Sequence, residues 1–93
     1  MNREILQKAI DTYGRNIQVD ICIEEMSELT KALIKDRRHN GINTEDWLNI
    51  AEEIADVKIM LEQMEITFKC KDRVSEQIDY KLNRLGERLK SSD

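Results

Sequence analysis

Proline is absent from this 93-residue chain, and glycine occurs only three times. Nothing inside its long stretches therefore breaks a helix, and the positions that tolerate a left-handed backbone are few. The two cysteines, Cys22 and Cys70, are too few and too far apart for a disulfide framework or a zinc knuckle. They read as reduced thiols packed like small hydrophobes. The one histidine, His39, lies in the polar run Lys35-Asp-Arg-Arg-His-Asn40. It reads as a solvated residue at a fraying helix end. No run is long and apolar enough to span a bilayer. The opening Met1-Asn-Arg-Glu4 does not lead into a signal-peptide core, so the expected location is the cytoplasm. Lys and Arg number 15 against 19 Asp and Glu, which leaves no basic surplus for a phosphate backbone and argues against general nucleic-acid binding.

What is there is Leu, Ile, Glu and Lys, the composition of a soluble all-α protein. Residues 1–93 make one domain, at the small end of what can bury a core. Such a chain commonly completes its core by oligomerising. With neither repeat nor linker in view, four helices account for nearly every residue. The first runs from about Asn2 to Tyr13 and stops at Gly14. The second runs from about Ile17 to Arg38, ahead of the turn dipeptide Asn40-Gly41. The third starts after Asn43-Thr44, either of which can cap it, with Glu45 and Asp46 suiting its positive first turn; it continues to about Phe68. The fourth covers about Asp72 to Leu89, with Lys90-Ser-Ser-Asp93 fraying. Short connections predict antiparallel neighbours in a four-helix, bundle-like subunit.

Two acidic pairs share one spacing on the second and third helices: Glu25-Met-Ser-Glu28 and Glu53-Ile-Ala-Asp56. Residues three apart share a helix face, so each pair can aim two carboxylates at one point. Spacing alone is weak, because about three or four such pairs follow from composition and four are present, Glu62/Glu65 and Glu76/Asp79 being the others. Position separates them. At about 100° per residue, the second helix carries an apolar arc of Val19, Cys22, Met26, Leu29 and Leu33, extended by Ile21 and Ala32. Glu25 falls inside that arc and Glu28 at its edge. The third helix has a stripe of Ile50, Ile54, Val57, Leu61, Met64 and Phe68, with Glu53 at its margin and Asp56 just beyond Met60. Trp47 begins this stripe and reads as core, with stacking on a nucleobase as the alternative. The other two acidic pairs face away from the stripes of their helices.

Carboxylates at a core edge are costly unless paired or metal-bound. Lys31, Lys35 and Lys58 offer partners for a structural salt-bridge network. Four acids against few well-placed bases favour a cation. Neither pair contains histidine, so all-oxygen ligation points to magnesium or manganese rather than a di-iron centre. Magnesium held by a few carboxylates is usually completed by water and substrate phosphate. On the fourth helix, Gln77, Lys81, Arg84 and Arg88 run along one edge of the stripe Val74, Ile78, Leu82, Leu85 and Leu89. These are either snorkelling surface bases or a grip for phosphate oxygens.

The segments Ile23-Glu-Glu-Met-Ser-Glu-Leu29 and Ala51-Glu-Glu-Ile-Ala-Asp-Val57, followed by Tyr80-Lys-Leu-Asn-Arg-Leu85, resemble the all-α nucleoside triphosphate pyrophosphohydrolases, in particular their MazG-like branch. The resemblance runs from about Ile17 to Leu89. It implies magnesium binding and catalysis by Glu25, Glu28, Glu53 and Asp56, and phosphate contact by Lys81 and Arg84. It also implies cleavage of a nucleoside triphosphate between its α- and β-phosphates, and a homodimer or homotetramer whose neighbouring subunits help complete the site. Glu25, the most enclosed acid, is the candidate general base, with Glu24 and Glu52 as adjacent acids. No motif identifies the base of the nucleotide. The competing readings are a non-enzymatic helical dimerisation module and a degenerate relative that binds nucleotide without turnover.

Overall fold

The computed structural model describes residues 1–92 as four helices and the short turns between them: α1 (Arg3–Tyr13), α2 (Arg15–Arg38), α3 (Thr44–Thr67) and α4 (Lys71–Ser92). Three of the junctions are set by local chemistry. The Asn2 side chain accepts a hydrogen bond from the Ile5 N–H and caps α1. Gly14, at φ 89°, ends α1 by donating its N–H to the Ile10 carbonyl at 2.8 Å, and α2 begins at the next residue. The helix thus starts at Arg15 rather than near Ile17, because one glycine suffices for the break. Asn40 and Gly41 carry the positive φ values that turn the chain from α2 to α3. Asn43 then caps α3, its Oδ1 accepting from the N–H groups of Glu45 at 2.9 Å and Asp46 at 3.4 Å. At the far end α4 continues to Ser92 instead of fraying from Lys90.

The antiparallel pair α2–α3 is the body of the molecule, and α1 packs against both of its helices. The buried and half-buried positions define the seam between the pair. On α2 they are Gln18, Cys22, Glu25, Leu29, Ala32 and Asp36; on α3 they are Asp46, Ile50, Glu53, Val57, Met60 and Met64. Both rows step by four, three, four, three and four residues, the spacing of helices packed knobs-into-holes. The seam is rotated from the apolar arcs read in the sequence. Met26 and Leu33 on α2, and Ile54, Leu61 and Phe68 on α3, lie outside it and are exposed. Trp47, expected in the core, is 67% exposed. The buried core is small: Leu6, Cys22, Ala32, Val57 and Met60, with the polar Gln18, Asp46 and Gln63. Cys22 and Cys70 are free thiols, the first buried and the second half-buried.

Helix α4 packs against the chain only through α3, and every described residue from Ser75 onward is exposed. Its apolar stripe therefore has no partner within the chain. The Cα radius of gyration is 16.5 Å, against about 12 Å for a compact domain of this length. Among the described residues, no helix is long and apolar enough to cross a membrane.

Candidate metal centre

Glu25 and Glu53 both occupy positions of the α2–α3 seam, where the spacing otherwise calls for an apolar side chain. Helix geometry then places Asp56 one turn beyond Glu53, on the solvent side. One carboxylate oxygen from each of Glu25, Glu53 and Asp56 lies within 4.8 Å of the others. The Glu53 Oε2 is buried and has no hydrogen-bond partner. An orphaned anionic oxygen in such a place calls for a compensating positive group.

The electrostatics follow from that crowding. Burial raises the Glu25 carboxyl above its ordinary range, and the neighbouring charges of Asp56 and Glu53 push it further. Glu53 is raised chiefly by burial too, then by Asp56, Glu28 and Glu52. No base offsets them. The ion pairs among the described residues are Lys31–Glu28, His39–Asp46, Arg73–Glu76 and Lys90–Glu87, and none includes Glu25, Glu53 or Asp56. A structural salt-bridge network, the alternative open in the sequence, is therefore not formed at these three acids. The donor set is all carboxylate, which fits a hard divalent cation and not a soft one.

The remaining candidate residues are placed differently. Glu28 stands outside the three-oxygen cluster; its Oε1 is 3.5 Å from Lys31 Nζ, and its charge reaches the cluster only as a neighbour of Glu53. Lys81 and Arg84 lie on the exposed length of α4, with the Arg84 guanidinium 5.7 Å from the centre of the Tyr80 ring. Within one chain they are not brought to the acids. His39 is no ligand: its Nδ1 pairs with the buried Asp46. A groove of about 640 Å³ lies elsewhere, between the starts of α1 and α4 and the end of α3. It is lined by charges of both signs, including Arg3, Glu62, Lys69 and Arg73, and offers no convergent donor set.

Sequence reading passed over the polar seam residues Gln18, Asp46 and Gln63. The signal that locates them is the alternating four-and-three spacing itself, since Gln18 and Asp46 each stand seven residues before the central acid of their helix. Comparison with models of protein families, with curated proteins and with solved structures gave no match.

Proposed function

We propose that this chain is a magnesium-dependent nucleoside triphosphate pyrophosphohydrolase of the all-α, MazG-like kind, working in the cytoplasm as a homo-oligomer. The observation that carries the reading is the convergence of Glu25, Glu53 and Asp56 from two helices around a buried, unpartnered carboxylate oxygen. The paired motifs that resemble the family supply the substrate class. Glu25, Glu53 and Asp56 would hold the cation, with Glu28 at the rim; manganese, equally oxygen-seeking, is the alternative ion. Magnesium bound there supplies positive charge that neutralises the phosphate chain of the substrate. Glu25, whose raised proton affinity suits a base, takes a proton from the attacking water. The anhydride bond between the α- and β-phosphates breaks, giving a nucleoside monophosphate and pyrophosphate. Lys81 and Arg84 would grip phosphate oxygens once α4 of a neighbouring copy, or of the same chain after closure, lies beside the cluster.

The test is a screen of nucleoside triphosphates for pyrophosphate release, with and without magnesium. At least one substrate should be cleaved only with the metal, and Glu53→Gln should abolish cleavage while keeping helical circular dichroism. Full activity in that variant would overturn the site assignment. A dimerisation module without catalysis is the second reading, favoured by the exposed apolar surface. It expects no change in melting temperature on adding magnesium with a non-hydrolysable nucleotide, whereas a specific ligand raises it by mass action. A degenerate relative would bind nucleotide in calorimetry without releasing product.

A further inference from the structure

The α2–α3 hairpin has a second apolar row, beside its buried seam. Met26 and Leu33 on α2 stand seven residues apart, as do Trp47, Ile54, Leu61 and Phe68 in succession along α3. At about 100° per residue each lies roughly a quarter turn or less from the seam, in the same rotational sense. Two antiparallel helices facing each other turn same-sense flanks to the same side. These six side chains therefore share one face of the hairpin, and they are 40–67% exposed. The Arg15 guanidinium, 4.7 Å from the centre of the Phe68 ring, spans the two helices on that face. Glu28 and Asp56 fall on the opposite flank of their helices, so the acidic centre opens on the other side.

The chain exposes 7549 Å², where a compact monomer of its 11.0 kDa exposes about 5,600 Å². The excess of roughly 1,900 Å² per copy, about 3,900 Å² for two, is the scale of an obligate homodimer. It is carried by this face and by α4. The middle of the face holds no charge, so meeting itself brings no like charges together. Its rim is polarised: Arg37 flanks the Trp47 end and Glu65 the Phe68 end. A two-fold axis across the helices sets each Arg37 toward Glu65 of the other copy.

We propose that this face binds the same face of a second copy head to tail, making a layer of four helices whose outer sides carry the two acidic centres. The assembly names the surface of the oligomer stated above and does not depend on catalysis. An inactive dimer would count against the hydrolase reading alone, and an active monomer against this one alone.

Light scattering on size-exclusion fractions tests it, with far-ultraviolet circular dichroism to confirm folding. The wild-type chain should elute at twice its 11.0 kDa mass. Ile54→Glu and Leu61→Glu should weaken the dimer by about 100-fold or more, since each buries a charge in the interface, while Leu82→Glu on α4 should remain dimeric. A monomeric wild type, an undiminished Ile54→Glu dimer, or dissociation by Leu82→Glu alone would overturn the proposal. Should the face variants fail to fold, iodide quenching of Trp47 in the wild type decides. Protection relative to a free tryptophan derivative supports the interface, and full accessibility overturns it.

Discussion

The Nδ1 of His39 lies 2.5 Å from Oδ2 of Asp46, tying the last residue of the α2 cap to the first turn of α3. Asp46 is 3% exposed, and its own N–H is held by the Asn43 cap. The contact closes the hairpin on which both halves of the acidic centre ride. Removing one partner of a buried carboxylate leaves it unsatisfied, which costs about 1–3 kcal/mol. His39→Ala should therefore lower unfolding stability by about that amount in urea titration at fixed protein concentration. A loss below roughly 0.5 kcal/mol, the range of ordinary surface changes, would mean that the pair does not hold the turn.

Asn43 satisfies two N–H groups at the start of α3. Asn43→Ala should cost about 1 kcal/mol, while Asn43→Asp should come close to wild type. Equal losses in the two variants would assign the effect to something other than the cap.

Without metal, Glu53 is a strained member of its cluster. Its Oε2 is buried and unpartnered, and three neighbouring acids raise its carboxyl. Glu53→Gln should raise the melting temperature of metal-free protein and remove the further rise produced by magnesium. Destabilisation of the metal-free protein by this change would show that the carboxylate is already compensated.

The same groups set a pH dependence. Raised folded-state values mean that folded Glu25 and Glu53 hold protons more tightly than the unfolded chain does. Their contribution to stability is present at acid pH and is lost as pH rises from the ordinary value of 4.5 through the raised ones. Relative to Glu53→Gln, metal-free wild type should lose melting temperature between pH 4.5 and neutrality, and magnesium should restore it. Calorimetry in buffers of different ionisation heat should then detect proton release on binding. A flat difference between wild type and variant would contradict the crowding argument.

Under the hydrolase reading, Lys81→Ala with Arg84→Ala should raise KM by about tenfold, the effect of roughly 1.4 kcal/mol of binding. The magnesium-induced thermal shift should survive, since neither residue touches the acids. Loss of that shift would place α4 in the metal site itself.

Local chemistry was legible in the sequence. Gly14, Asn40-Gly41 and Asn43 mark breaks and caps by their own side chains or lack of one, and the helices begin and end beside them. The rotation of each helix was not legible. Met26, Leu33, Ile54 and Leu61 drew the apolar arcs toward a flank, because an exposed apolar row and a buried one look alike when summed round a wheel. Gln18 and Gln63, buried and polar, hid the true seam. His39 read as solvated because its partner lies across a turn, seven residues on. Of the four acids, Glu25, Glu53 and Asp56 come together, while Glu28 answers to Lys31 one turn along its own helix. The basic edge of α4 is a fact of sequence; what it faces depends on docking that no local pattern encodes.

Glu25 and Glu53 sit on the two rungs where leucine would weld α2 to α3. A chain with Leu at both positions would be a sturdier hairpin and an inert one. This protein therefore stands on the familiar line between durability and activity: its middle layer is kept soft where the chemistry is placed. A directed search for thermostable variants would be expected to erase these two acids first.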